Sequence, residues 1–175
     1  LLCGALPRPG GAALMTRVLV GGFGSQYRRD DGVGPLVAEQ VVHDTSEVQI
    51  VGPFSDPLDL LGHWDRADFV VLIDATRSGA CAGTLHVVEL DNGVPVPGKS
   101  IEDRQLGPTS THGIGLAGVL RLARALDRAP RRVVVVGIEG QSFDFGEGLS
   151  PAVAQCVPEA VRRVKELIEG VLSCA

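Results

Sequence analysis

Two aspartates and one histidine have the types and positions to form a metal site. Asp31 ends a glycine-rich loop that follows the apolar run Val18–Val20. Asp74 directly follows the clearest apolar run of the chain, and His112 stands at the start of a helical pattern. Two carboxylates and one imidazole suit a borderline divalent metal and leave coordination positions free. Because ligands of open α/β sheets bind at the carboxyl ends of the strands, we expect the three side chains to meet at one sheet edge.

Each of these residues also has a structural explanation. Asp31 suits an Asx turn or a helix cap, and Asp74 suits a cap. His112 suits a helix entry at which the neighbouring hydroxyls hold the imidazole. For a single residue the structural role is the commoner one, but the shared placement at element ends favours a joint site.

The loop before Asp31 does not match the nucleotide-binding loops. A dinucleotide fingerprint needs a third glycine where this chain has Tyr27. A phosphate-binding loop needs Gly-Lys-Ser/Thr, and the first lysine of the chain is Lys99. The acidic pair Asp30-Asp31 would also repel a phosphate. We therefore expect no nucleotide cofactor.

The elements that must position these residues alternate between strands and helices. Strands are predicted at 18–20, 48–51, 69–73, 83–90 and 133–138, helices at 35–43, 57–64, 112–126 and 150–172, and a long loop at 91–111. This alternation predicts an α/β fold with a single doubly wound, mostly parallel sheet flanked by helices. Residues 1–14 have Pro and Gly without periodicity and no signal-peptide pattern, so we predict a disordered extension before one domain over 15–175.

Composition excludes several classes of protein. The net charge of −5 argues against broad binding to nucleic acid or to anionic membranes. No apolar run approaches the ~18 residues of a spanning helix. The four cysteines form no C-x-x-C pair, which indicates reduced thiols and a cytoplasmic protein.

Other residues of chemical interest receive structural interpretations. His63 and His86 have no acidic or Cys/His pattern around them, so we predict no role for them in the site. Phe143 and Phe145 follow the last predicted strand. We expect them to pack over the edge of the core, with an apolar patch for a partner as the alternative.

Four separated segments together are similar to the motifs of one family, the hydrogenase maturation proteases. The first segment resembles G-x-G-N-x-L-x-x-D-[DE]-G-x-G, although Ser25 stands at the asparagine position and Gln26-Tyr27 replaces the apolar pair near it. The others resemble an apolar strand that ends in Asp-Ala with Pro-Gly-Thr soon after, [ST]-x-H-x-x-x-L, and G-x-x-L-S-P-x-V. The matching residues are 22–34, 72–75 with 82–84, 110–116 and 146–153, in the family's order within about 17–172.

This resemblance implies an endopeptidase that removes a C-terminal extension from the nickel-loaded large subunit precursor of [NiFe] hydrogenase. It also implies that Asp31, Asp74 and His112 contact the metal and act in catalysis, with the nickel carried by the substrate. Asp31 or its neighbour Asp30 would then serve as the general base.

Three other functions stay open at this point. The chain can be a non-catalytic, nickel-dependent checkpoint or chaperone, or a divergent paralogue with another protein substrate. It can also be a small-molecule metallohydrolase. Cleavage of a partner's tail separates the protease from the chaperone, and turnover of small esters or amides favours the metallohydrolase.

Overall fold

The computed structural model describes residues 17–41, 45–64, 67–91, 94–100 and 116–174. Both the predicted extension 1–14 and His112 lie outside these ranges. The described residues form a six-stranded sheet in the order β2-β1-β3-β6-β4-β5. The strands are β1 Val18–Phe23, β2 Val48–Phe54, β3 Phe69–Thr76, β4 Leu85–Asp91, β5 Val94–Ser100 and β6 Arg132–Glu139.

The sheet is mostly parallel with an antiparallel end. Strands β2, β1, β3 and β6 run parallel to one another. Strand β4 pairs antiparallel with β6, and β5 pairs antiparallel with β4. As a consequence, the amino end of β4 lies at the same edge of the sheet as the carboxyl ends of β1, β3 and β6.

Helices cover both faces of the sheet, which confirms the predicted doubly wound α/β fold. Helices α1 (Val33–Gln40) and α3 (Pro151–Leu172) pack on one face, and α2 (Leu116–Ala125) packs with the 3₁₀ helix Pro57–Gly62 on the other. Successive strand side chains point to opposite faces. The first core includes Val20, Val71, Ile73, Val134, Val136, Val37 and Val164, and the second includes Leu19, Leu72, Val133, Val135, Leu60 and Leu120.

Two predicted boundaries are wrong in ways that affect the site. The loop predicted over 91–111 contains strand β5, whose Pro/Gly-rich sequence concealed it. Strand β3 continues past Asp74 to Thr76, because its pairing with β6 runs on as far as Thr76 opposite Glu139. Asp74 is therefore a strand residue, and the alternation along β3 turns its side chain toward the face that α2 covers.

Candidate functional site

Close backbone contacts hold Asp31 at the end of β1. Gly24 follows β1 with a φ of +118°, and a Cβ there would lie 1.8 Å from the carbonyl oxygen of Asp31. A Cβ on Gly34, in the first turn of α1, would lie 2.6 Å from the carbonyl oxygen of Ile73. Only glycine permits these approaches, which bring the 3₁₀ helix Arg29–Gly32 and α1 against the ends of β1 and β3.

The Asp31 side chain is buried, with 2% of its residue surface exposed, and its Oδ2 accepts a hydrogen bond from the backbone N–H of Ser25 at 2.9 Å. This bond lies within the glycine-rich loop, at the position where the family pattern has asparagine. Because the donor is the backbone N–H, this hydrogen bond does not depend on which side chain residue 25 carries. The orientation of Asp31 is thus set by the loop itself.

Asp74 lies half-buried on the neighbouring strand, close enough to Asp31 for the two charges to interact. The preceding residue, Ile73, is in register with Gly22 of β1, so Asp74 is level with the end of that strand. Burial, and then the negative charge of Asp31, raise the pKa of Asp74 from its ordinary 3.8 to about 7. The structure therefore brings two of the three predicted site residues together at one edge of the sheet.

Asp30, which the sequence offered as an alternative base, has a structural role instead. Its carboxylate is fully buried and accepts backbone N–H hydrogen bonds from Gln141 and Ser142 at 2.8 Å and from Ser150 at 2.6 Å. Burial alone raises the pKa of Asp30, but these hydrogen bonds outweigh burial and hold the pKa below its ordinary value. Asp30 joins the loop after β1 to the loop between β6 and α3, and it is not placed to accept a proton.

A second buried carboxylate, Glu139 at the end of β6, was missed by the sequence reasoning. Its Oε1 accepts the backbone N–H groups of Ser78 and Gly79, both at 2.8 Å. Its Oε2 accepts the hydroxyls of Ser78 at 2.8 Å and of Thr76 at 3.1 Å. Burial raises the pKa of Glu139, but the four hydrogen bonds outweigh burial and keep the pKa below its ordinary value. An acid directly after an apolar strand was the available signal, as it was for Asp74.

His86, around which the sequence shows no acidic pattern, lies beside Glu139 in the folded chain. Its Nε2 is 3.4 Å from Oε2 of Glu139, and 5% of the residue surface is exposed. The two residues are far apart in sequence and meet because β4 runs antiparallel to β6. Within the described residues, Nε2 of His86 has no hydrogen-bond partner of good geometry.

Two exposed aromatic side chains and the half-buried Arg28 lie on the loops that Asp30 joins, and we call this group the rim of the site. Phe143 is buried as predicted, but Phe145 is 86% exposed and Tyr27 is 59% exposed. The guanidinium carbon of Arg28 lies 5.6 Å from the centre of the Phe145 ring. The N–H of Gly146 donates to the carbonyl of Tyr27 at 2.9 Å, so ordered backbone supports both aromatics. Aromatic and arginine side chains are enriched at protein interfaces, which favours the predicted alternative of a partner patch.

Asp31 and Asp74 suit a divalent cation. Two carboxylates so close that one charge disfavours ionisation of the other gain from a cation that neutralises both. Among the residues that the structure describes, no three His, Cys, Asp or Glu side chains are grouped to hold a metal ion. His112, the third predicted ligand, lies outside those residues and precedes α2 by four positions in the sequence.

Comparison with known proteins identifies the family. A family model described as hydrogenase maturation protease matches residues 37–167, a range that includes Asp74 and His112. A hydrogenase expression/formation protein, HupM of Azotobacter chroococcum, is 30% identical over 164 residues, which cover 89% of this chain and 74% of that protein. The hydrogenase 2 maturation protease of Escherichia coli is 26% identical over 151 residues, which cover 85% of this chain and 88% of that protein.

A solved structure agrees with these sequence matches. The hydrogenase maturating endopeptidase HybD from E. coli superposes with a TM-score of 0.72 at 25% identity, over 89% of this chain and 94% of that one. The similarity thus extends to the whole arrangement of strands and helices. No helix in the described parts of this chain combines the length and the apolar character needed to cross a bilayer.

Proposed function

Because the chain belongs to the hydrogenase maturation protease family, we propose that it is the endopeptidase that removes a C-terminal extension from a nickel-loaded hydrogenase large subunit precursor. The family is one of peptidases, so the reaction is hydrolysis of a peptide bond in a protein substrate. The precursor is the partner, and it brings the nickel with it. Among the described residues, Cys81 and Cys156 are free thiols, which supports a cytoplasmic setting.

One observation above all supports the site assignment. Asp31 and Asp74 belong to different motifs of the family pattern, and they lie so close that the charge of Asp31 helps to raise the pKa of Asp74 to about 7. Asp30 and Glu139 differ, because each accepts several hydrogen bonds that keep its pKa below the ordinary value. The repulsion between Asp31 and Asp74 is instead relieved when a cation arrives.

Asp31, Asp74 and His112 have different roles in the hydrolysis. Asp31 and Asp74, with His112, contact the nickel that the substrate carries and thereby align the scissile bond. A divalent ion at such a position polarises a carbonyl or activates a water. Asp31 takes a proton from the attacking water and returns it to the leaving amide nitrogen. Asp74, with a pKa near 7, gives up its own proton as it contacts the cation.

This proposal predicts a requirement for nickel in the substrate. The purified chain is mixed with precursor that is either nickel-loaded or nickel-free, and the intact mass of the precursor is followed over time. We expect loss of the C-terminal tail from the loaded precursor only. Binding without loss of mass would indicate the non-catalytic checkpoint or chaperone, and cleavage of small amides without the precursor would indicate the metallohydrolase.

A further inference from the structure

We propose that Glu139 is a positioning residue for Asp74. We also propose that His86, on β4, shields the Glu139 carboxylate from water. No catalytic contact is assigned to either residue. The inference deepens the proposed function and rests on it for the meaning of the cleavage rate, whereas the structural part of the inference is independent of it. Glu139 accepts four hydrogen bonds.

These hydrogen bonds all come from the chain that directly follows Asp74. Glu139 accepts from the hydroxyl of Thr76, from the hydroxyl and N–H of Ser78, and from the N–H of Gly79. Residues 77–80 are exposed, so little packing fixes this turn apart from Arg77, whose guanidinium carbon lies 4.5 Å from the centre of the Phe143 ring. The carboxylate is 2% exposed and holds the turn from its inner side. The Glu139 carboxylate therefore fixes the end of β3, and with it the orientation of the Asp74 side chain.

The backbone tightens the same connection. The N–H of Gly140 donates to the carbonyl of Thr76 at 2.9 Å, and the N–H of Gly83 donates to the carbonyl of Glu139 at 2.8 Å. The end of β6 is thus bonded both to the last residue of β3 and to the segment that leads into β4. Asp74 is opposite Gly137, two residues before Glu139. A shift of the Glu139 side chain would be passed to Asp74 through only two residues of strand.

His86 completes this arrangement across Gly137. Asp74, Gly137 and His86 are in register on three adjacent strands, so all three face the α2 side of the sheet. A Cβ on Gly137 would lie 2.6 Å from Cγ2 of Thr76 and 3.5 Å from Cβ of His86. Because Gly137 has no side chain, the side chains of Thr76 and His86 can both pack over it. His86 then lies against Oε2 of Glu139 and excludes water from it.

A carboxylate at position 139 can do what an apolar side chain cannot. Burying a carboxylate has a desolvation cost, and a well-packed apolar side chain often stabilises a fold equally well. What an apolar side chain lacks is the ability to accept four hydrogen bonds from one turn at once. Glu139 therefore provides local order next to Asp74, which is what a precise catalytic geometry requires.

The test compares Glu139→Ala and Glu139→Gln with Glu89→Ala. Glu89 is also a buried carboxylate, but it pairs with Arg132 at 2.9 Å at the far end of the sheet. Glutamine keeps an oxygen for the two backbone donors, and its amide can donate to the two hydroxyls. Folding is followed by thermal unfolding, local order by amide hydrogen exchange, and cleavage of the nickel-loaded precursor by kcat and KM.

For Glu139→Ala we expect faster exchange in residues 74–79 and a kcat about 100-fold lower, with KM unchanged, since a misplacement of about 1 Å has an effect of this size. Glu139→Gln should restore kcat to within about threefold, because it retains most of the hydrogen bonds. Glu89→Ala should lower the melting temperature and leave kcat and the exchange of residues 74–79 unchanged. If Glu139→Ala does not fold, the double variant Thr76→Val/Ser78→Ala removes both hydroxyl donors and should show the same pattern more weakly.

Two results would overturn the inference. One is a folded Glu139→Ala with wild-type kcat, and the other is an equal loss of kcat in Glu139→Ala and Glu89→Ala. If the wild-type chain itself does not cleave the precursor, the proposed function fails, and hydrogen exchange alone decides the inference. Faster exchange confined to residues 74–79 would then support the positioning role, and unchanged exchange would exclude it.

Discussion

Replacing Asp74 with asparagine should stabilise the metal-free protein at alkaline pH. Burial and then the charge of Asp31 raise the pKa of Asp74 from 3.8 to about 7. The folded state therefore holds this proton more tightly than the unfolded chain. As a result, the contribution of Asp74 to the free energy of unfolding is most favourable below pH 3.8, becomes less favourable as the pH rises to about 7, and is level above that value.

The size of this effect follows from linkage at 1.36 kcal/mol per pH unit. A pKa that rises from 3.8 to about 7 lowers the free energy of unfolding, relative to a residue that stays neutral, by about 4 kcal/mol at pH 8 and by about 2 kcal/mol at pH 5. Because water reaches a half-buried carboxylate, we expect about half of these values. The variant Asp74→Asn has no charge to lose, so it should be more stable than wild type by about 2 kcal/mol at pH 8 and by about 1 kcal/mol at pH 5.

The assay is urea unfolding in the presence of a metal chelator at both pH values. The control is Asp144→Asn, an exposed acid in the loop after β6, which should change stability by less than about 0.5 kcal/mol. A divalent cation such as Cd²⁺ should reverse the order, because it stabilises the wild type and not Asp74→Asn. If Asp74→Asn is destabilising by the same amount at pH 5 and pH 8, the repulsion between Asp31 and Asp74 does not exist and the reasoning is refuted.

Three other expectations concern residues around the site. Asp30→Asn should lower the free energy of unfolding by about 3 kcal/mol in urea, because its amide would face a backbone N–H donor, and unchanged stability would contradict the structural role of Asp30. Phe145→Ser should raise KM for the precursor and leave kcat unchanged. The control Leu126→Ser, at an exposed residue outside the site, should alter neither value. An unchanged KM for Phe145→Ser would exclude the rim as a substrate contact. Deletion of residues 1–14 should leave the melting temperature within about 2 °C of the full chain, and a larger fall would show that the segment packs on the domain.

The elements with clear periodicity or with apolar runs were predictable from the sequence. The pattern at 69–73 predicts a buried strand, and Ser150-Pro151 predicts the start of α3, which runs from Pro151 to Leu172. The approach of Asp31 and Asp74 was also predictable, because both lie near the carboxyl ends of strands that run parallel in an α/β sheet. The 3₁₀ helix Pro57–Gly62 begins where the helix over 57–64 is predicted, and Oδ1 of Asp56 caps it by accepting the N–H of Leu58 at 2.9 Å.

The pairing of His86 with Glu139 was not predictable, because it depends on the direction of one strand. Strand periodicity shows which residues share a face but not whether a strand runs parallel to its neighbour. In a wholly parallel sheet, the first residues of β4 would lie at the edge opposite the site. The antiparallel pairing of β4 with β6 places His86 beside Gly137 and close to Glu139. Strand β5 was missed for a different reason, since Pro95, Pro97 and Gly98 are typical of loops.

The most direct test of the proposed function is the cleavage of nickel-loaded precursor by Asp31→Asn, with Asp144→Asn as the matched control. Asparagine has nearly the size of aspartate and keeps an oxygen to accept the N–H of Ser25, so the fold should persist. It loses the negative charge needed to contact a metal and the basicity needed to take a proton. By intact mass, we expect the wild type and Asp144→Asn to remove the C-terminal tail at equal rates, and Asp31→Asn to be slower by at least about 100-fold. Cleavage by Asp31→Asn at the wild-type rate would show that Asp31 is only a turn residue and would contradict the proposed site.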